Sequence, residues 1–406
     1  MQVEIRTIEL DELEEHVRAV AAGFLDEMSP EWIERVRRIS VAERSLAAID
    51  GGTMVGTAAS LPFELSVPGG SVPAGGVTAV TVQPTHRRRG LLRRLMERQL
   101  GDLRAAGDAV AVLWASEGWI YPRFGYGLAS LNARLDAQRD RIAFRDEASP
   151  ASVRLLSHGE ALEALPPLYE RIRVSSPGFY ARSAGWWDAA TLADDGHHRR
   201  GAGPLFRALL ERRGAPAAYG LYRLKHVWNQ GVPEGELHVQ EALGVDPEAY
   251  REIWRYLFGI DLVARVQTRR LAVDSPLALL VTEPTRLRIS VGDGLFLRII
   301  DLEAALSGRG SAADGAVVLG VVDEGCPWND GAWQLDASGG RIAVARSTAV
   351  PELRLAVGDL ASVYLGAFSF GDLAAACRVE EVVPGAVARA DAIFRTDGAP
   401  WCPEGF

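Results

Sequence analysis

Apolar and polar positions alternate over Val3–Ile8, a period of two that predicts a short strand. Asp11-Glu12-Leu13-Glu14-Glu15 then opens a pattern of helical period toward Phe24, with Asp11 as the expected N-cap. Its acidic residues sit where the positive end of the helix dipole stabilises them. Ser29 followed by Pro30 predicts the start of a second helix running to Arg38. The β-branched runs Leu46–Ile49, Met54–Leu61 and Val77–Val82, separated by glycine-bearing turns, predict strands. A helix over Leu91–Leu103 and a strand over Ala109–Trp114 complete an α/β unit.

Beyond a charged stretch ending in Pro150, the pattern predicts a helical stretch over Gly159–Arg173, interrupted at Pro166-Pro167. A strand pair around Phe206–Tyr222, a strand near Leu237–Leu243 and a helix over Pro247–Phe258 follow. Setting Pro84 on Pro247 aligns VTVQPTHRRRGLLRRL with LGVDPEAYREIWRYLF, each a strand, a proline and a helix, which suggests an internal repeat. The second copy has Ile253 where the first has Gly90, so a duplicated site has lost its loop. From about residue 286, strands are predicted at Leu295–Ile300, Ala316–Val322, Arg341–Ala345 and Leu353–Val357. Helices are expected at Leu302–Leu306, Asp359–Tyr364 and Phe370–Cys377, with a last element at Pro384–Phe394. The segments are therefore 1–150, 151–285 and 286–406, and a chain of 406 residues is long enough for two to three domains.

Composition narrows the function classes. An apolar share of 48% with 24% charged residues is that of a globular chain, which excludes a disordered polyelectrolyte. The net charge of −9 argues against a phosphate backbone as main partner and suits a cationic ligand. Lys225 is the single lysine among 44 basic residues. Cys326, Cys377 and Cys402 form no CxxC pair and the histidines show no ligand spacing, so no metal is expected. The adjacent His197 and His198 read as a polar loop. The opening residues show no basic start or apolar h-region, and no run reaches membrane-spanning length. The expectation is a reduced, cytoplasmic protein with no membrane span.

The informative stretch is VTAVTVQPTHRRRGLLRRLM, Val77–Met96. A strand ends at Pro84, a turn carries Arg87-Arg88-Arg89-Gly90, and a helix starts at once. The first amides of a helix have no internal partners and its dipole is positive there, so the arrangement is an anion site. A merely solvated basic helix start explains the arginines but not the glycine among them. The turn is neither a GxxxxGK[ST] loop nor GxGxxG. It resembles the R/Q-x-x-G-x-G/A pyrophosphate loop of the GCN5-related acetyltransferases, with Leu92 departing from the usual glycine or alanine.

Together with ASEGWIYPRFGYG at Ala115–Gly127, VGDGLFLRIIDLEAAL in the third segment and the closing phenylalanine, the chain resembles the Eis (enhanced intracellular survival) family along its whole length. The resemblance implies tandem GCN5-related acetyltransferase folds followed by a sterol-carrier-protein-like domain. The first fold would be catalytic, the second would lack a cofactor loop, and the third would supply the terminal carboxylate. It further implies acetyl-CoA as co-substrate, a homohexamer, and acetylation of amines on aminoglycosides.

Carried over by position, acetyl-CoA would meet Val80, Thr81 and Val82 through their backbone. The pyrophosphate would sit on Arg88, Arg89, Gly90, Leu91, Leu92 and Arg93, with Arg87 beside it and Ser116 and Glu117 as a further contact pair. The implied general acid is Tyr121 and the implied base the carboxylate of Phe406. A tyrosine, with a reference pKa near 10, can donate a proton to a leaving thiolate. Spacing alone does not choose between Tyr121 and Tyr126. An α-carboxylate with a reference pKa near 3.5 is ionised at neutral pH and can take an ammonium proton or hold the cation. Trp401, Pro403 and Phe406 favour a docked end over a frayed one. Phe24, Asp26, Glu27 and Trp32 would shape an acceptor cleft for a polyamine; core packing with a solvated acidic face is the other reading. Trp186-Trp187 reads as packing or an oligomer contact. A protein-lysine acetyltransferase, or a non-catalytic lipid or small-ligand binder using the third segment, are the alternative functions.

Overall fold

The computed structural model describes residues 3–25, 29–199 and 201–406. It forms two compact units, Met1–Ser130 with Asp293–Pro400 and Gly405–Phe406, and Leu131–Gly292 with Trp401–Glu404.

In the first unit, β1 (Glu4–Thr7), β2 (Ser45–Asp50), β3 (Thr53–Val67) and β4 (Gly70–Val82) run antiparallel to their neighbours. β4 then pairs in parallel with β5 (Val110–Trp114). The sheet closes with Leu295–Ile299, antiparallel to both β5 and Gly127–Leu128. Period two decides which helix covers which face. Leu46 and Ala48 pack with Leu91 and Leu95 of α3 (Leu91–Ala105), whereas Ala47 packs with Leu13 and Ala19 of α1 (Leu13–Phe24). Ser29 caps α2 (Pro30–Ile39) by accepting from the Trp32 amide, as expected. Asp11 does not cap α1: a 3₁₀ turn over Leu10–Glu12 precedes it, closed by a Glu9–Glu12 capping box.

A second sheet of this unit has five strands, in the order Arg341–Arg346, Gly331–Ser338, Gly315–Val322, Leu353–Ala356, Val379–Glu381. The helix Val357–Tyr364 joins the two sheets, packing on Leu295–Ile299 and Gly127–Leu128. Close approach there is possible because a Cβ at Gly127 would lie 1.9 Å from the Gly358 carbonyl oxygen.

The second unit repeats the plan. Its seven strands run Ser290–Asp293, Leu131–Gln138, Val263–Leu271, Gly235–Gly244, Ala215–Lys225, Phe206–Arg212, Ser152–Leu155, with Gly235–Gly244 and Val263–Leu271 parallel. The helix His158–Arg173 is continuous through Pro166 and Pro167, not interrupted there. The prolines forfeit backbone bonds, but a Ser157–Glu160 capping box and the buried face Leu165, Leu168, Tyr169 and Ile172 hold the helix together.

This grouping follows the sheets and not the order of the chain. Leu131–Gln138 lies in the second unit's sheet, and Leu295–Ile299 lies in the first unit's. Hydrophobic pattern locates a strand but not the sheet that pairs with it.

Candidate active site

The first unit's sheet is parted at its centre. β4 and β5 pair only at Ala74–Val110, Gly75–Ala111 and Gly76–Val112, so Val77–Val82 leave β5 behind. A bulge explains the parting: Thr57 faces Thr81 and Ala59 faces Thr78, which sets Ala79 and Val80 of β4 against Ala58 alone. Ala79 takes a positive φ of 54°, uncommon for a residue with a Cβ. The Thr57 hydroxyl fixes it, donating to the Ala79 carbonyl at 2.7 Å and lying 2.8 Å from the Thr81 hydroxyl. The backbone of Val80, Thr81 and Val82 thus lines an opening on the β5 side.

The arginine loop follows. Arg88 (φ 63°) and Gly90 (φ 77°) are both left-handed, and Gly90 is the N-cap of α3 without a capping side chain. A Cβ at Gly90 would meet nothing within 4 Å, so the backbone conformation, not crowding, is what calls for glycine there. The Arg94 amide bonds to the Gly90 carbonyl at 3.1 Å, leaving the amides of Leu91, Leu92 and Arg93 as the open start of the helix. Arg88, Arg89 and Arg93 are exposed. Arg87 is instead a brace, with Nε donating to the Val82 carbonyl at 3.1 Å and a terminal nitrogen to the Gly23 carbonyl at 3.4 Å. His86 ties the same loop to Asp50, at 3.2 Å.

Tyr121 begins a 3₁₀ turn, Tyr121–Phe124, that Gly125 caps in the left-handed region. Its ring shares a core with Val77, Ala111 and Leu113, and with Met96, Leu100 and Leu103 of α3. Tyr126 stands edge-on to it at 5.8 Å. The two differ in access: Tyr121 is 8% exposed and Tyr126 1%. Burial raises the pKa of both, so both hydroxyls hold their protons at neutral pH. Ser116 and Glu117 lie exposed after β5, with Glu117 accepting from the Trp119 indole at 2.8 Å.

The third segment supports this turn. A Cβ at Gly125 would lie 2.8 Å from the Arg298 guanidinium. Arg298 is fully buried and donates to both Asp323 oxygens, at 2.8 and 2.6 Å. The lone arginine inside the apolar run Leu295–Ile300 was the sequence signal for this pair, and the reading of the sequence missed it.

Phe406 lies on the other face of the sheet. Its ring meets Phe63 edge-on with centroids 5.0 Å apart. Phe63 in turn covers Gly76, where a Cβ would lie 2.1 Å from the ring, whereas a Cβ at the preceding Gly75 would meet Leu103 of α3. Successive glycines face opposite sides, so Tyr121 shares the core of the α3 face and Phe406 lies against the face opposite it, at the point where β4 and β5 separate. Of the expected acceptor residues, Phe24 is exposed at the end of α1 and Trp32 is half-buried beside Arg35. Asp26 and Glu27 lie outside the described residues.

Among its described residues the second unit has no such loop. Asp246 caps its Pro247–Phe258 helix, accepting from the Ala249 amide at 2.8 Å, and Arg212 pairs with Asp246 and Glu248. A carboxylate of the chain itself thus covers this helix start. Trp186 and Trp187 are buried as packing, Trp187 edge-on to Tyr169.

An acetyltransferase (GNAT) domain family matches residues 4–129, a second acetyltransferase (GNAT) family residues 178–299, and a sterol carrier protein domain residues 302–403. The N-acetyltransferase Eis of Mycobacterium tuberculosis is 34% identical over 398 residues, covering 93% of each chain. The chain belongs to the Eis-like N-acetyltransferases. An uncharacterized N-acetyltransferase of Streptomyces avermitilis is 38% identical over 389 residues, 95% of each chain. The crystal structure of Eis1 from Mycobacterium abscessus superposes with a TM-score of 0.85 at 30% identity, covering 99% of this chain and all of that one. This Eis-like enzyme therefore carries two acetyltransferase folds and then a sterol-carrier-like domain. Among its described residues no helix is long and apolar enough to cross a membrane.

Proposed function

We propose that this Eis-like enzyme transfers the acetyl group of acetyl-CoA directly to amines of aminoglycoside-like polyamines. The observation that carries the reading is the parted β4–β5 pair, with Tyr121 in the α3 core and Phe406 against the opposite face. Acetyl-CoA supplies the activated acyl group and a thiolate leaving group. The backbone of Val80–Val82 binds along the opening, and the amides of Leu91–Arg93 with Arg88, Arg89 and Arg93 hold a pyrophosphate, Arg87 keeping the loop in place. Ser116 and Glu117 add cofactor contacts. Tyr121, kept protonated by burial, gives its proton to the departing thiolate. The Phe406 carboxylate takes the proton that the attacking nitrogen loses. Phe24 and Trp32 form the acceptor side, where the acidic balance of the chain favours a polycation.

The likeness to Eis proteins also brings a homohexamer and a cytoplasmic place of work into the proposal, both open to sedimentation and cell fractionation. The second fold takes no acetyl-CoA, since Asp246 already fills its helix start. The test is release of CoA thiol by the purified protein across aminoglycosides, simple polyamines and lysine peptides. Fastest release with a multi-amine aminoglycoside supports the proposal; preference for peptides makes it a protein-lysine acetyltransferase; no release with any amine overturns it.

A further inference from the structure

The second unit keeps the parted sheet of the first. Gly235–Gly244 pairs with Val263–Leu271 only as far as Val239–Thr268, and Gln240 bulges where Leu221 faces Glu241 and Tyr222 faces Val239. Just past that bulge, the side chains that converge are the chain's own. Arg182, fully buried, donates to both Glu241 oxygens at 3.0 and 2.5 Å and places its Nε 3.0 Å from Glu404. Its guanidinium lies 4.0 Å over the Tyr169 ring and 4.9 Å over Trp187. The same Glu404 oxygen accepts from the Trp186 indole at 2.8 Å, the Thr191 hydroxyl at 2.9 Å and the Tyr180 hydroxyl at 3.3 Å.

The residues before Glu404 are seated as firmly. Trp401 stands edge-on to Phe179 at 5.2 Å, and its amide donates to the Pro177 carbonyl at 3.2 Å. Gly178, at φ 95°, accepts this approach because a Cβ there would lie 2.6 Å from the Trp401 carbonyl oxygen. Cys402 and Pro403 are buried. One carboxylate paired with a buried guanidinium and accepting hydrogen bonds from three neutral donors is firmly held, because hydrogen bonds to an ionised acceptor are the strong ones.

We propose that the second acetyltransferase-like fold is a receptor for the chain's own C-terminal peptide, with Glu404 as the positioning residue for the terminal carboxylate. Where the catalytic fold opens to a cofactor, this fold binds the tail. The inference rests on the proposed role of Phe406. Only Gly405 separates Glu404 from Phe406, so at roughly 3.5 Å per residue the carboxylate cannot stray far from a fixed Glu404.

The test uses the full chain with Glu404→Gln, which keeps the size of the side chain but removes its charge. Two readouts are taken: the rate at which a carboxypeptidase releases Phe406, and steady-state kinetics. We expect release to accelerate at least about tenfold, because cleavage tracks the population of the open tail. We expect kcat to fall about tenfold to a hundredfold with the acetyl-CoA KM unchanged, the signature of a misplaced reacting group. Thr191→Val, which removes one of the donors, should fall between the two proteins on both scales. Release of Phe406 at the wild-type rate from Glu404→Gln overturns the receptor. Faster release with unchanged kcat supports the receptor and overturns only the catalytic role of the carboxylate.

Discussion

Replacing Arg298 by methionine removes a guanidinium that donates to both oxygens of a buried Asp323. Asp323 would retain bonds from the Cys326 amide at 3.0 Å and the Asn329 amide group at 3.1 Å, but not its cationic partner. Stranding one member of a buried ion pair costs about 3–5 kcal/mol. For a unit of this size that lowers the Tm on the order of 10 °C. The double variant Arg298→Met/Asp323→Leu strands no charge and should recover most of the loss. Activity should not recover with it. Gly125 rests against the guanidinium, so without Arg298 the turn that starts at Tyr121 loses its support. Thermal unfolding followed by circular dichroism and thiol release from acetyl-CoA measure the two effects, and the folded double variant should keep a kcat reduced about tenfold. A single variant within about 1 kcal/mol of wild type would refute the stability argument. A folded double variant with wild-type kcat would show that the third segment does not position the tyrosine.

Tyr121→Phe should lower kcat by about 10²–10⁴-fold while calorimetry shows acetyl-CoA affinity unchanged; unchanged turnover would move the proton donor elsewhere. Because burial raises the Tyr121 pKa, its acid form persists above the ordinary value near 10, and kcat should show no alkaline decline from this group up to that pH. Gly90→Ala forces a Cβ into the left-handed region, a strain of about 1–2 kcal/mol, and should weaken acetyl-CoA binding; Gly90→Asn, which tolerates that region, should retain most of it. His16, buried with its Nε2 3.2 Å from the Leu46 carbonyl oxygen, has its pKa lowered from 6.5 to about 4 by burial. The unfolded chain therefore binds the proton more readily. His16 contributes stability above pH 6.5 that is lost as the pH falls towards about 4, a swing of about 3 kcal/mol. Urea unfolding should show this slope in the wild type and a flatter one in His16→Gln.

The elements most legible in the sequence are those whose signals are local. Ser29-Pro30 marks a helix start, Pro247 another, and the glycine in Arg87–Gly90 sits where a left-handed cap is required. The Eis-like family was also legible, because its motifs are contiguous strings. What sequence could not carry is pairing and long-range contact. The run Leu295–Ile300 reads as a strand, but nothing in it says that its partners are Val110–Trp114 and Gly127–Leu128. Arg87 reads as a neighbour of the pyrophosphate, and nothing in the string tells that its side chain also donates to two backbone carbonyls. Phe63 and Glu404 look unremarkable in sequence, since their meaning comes from Phe406 and Arg182, each more than two hundred residues away. Pro166-Pro167 suggested a break, and the capping box with a buried apolar face outweighs it.

The most direct test of the central claim compares CoA thiol release by the full chain with release by a chain lacking only Phe406, at saturating acetyl-CoA and a multi-amine aminoglycoside. The arrangement of Tyr121 and Phe406 on either side of the parted strands predicts turnover by the full chain. It predicts a loss of about 10²-fold or more in the shortened one, with unchanged acetyl-CoA affinity. Equal turnover by the two chains, or none by either, would contradict it.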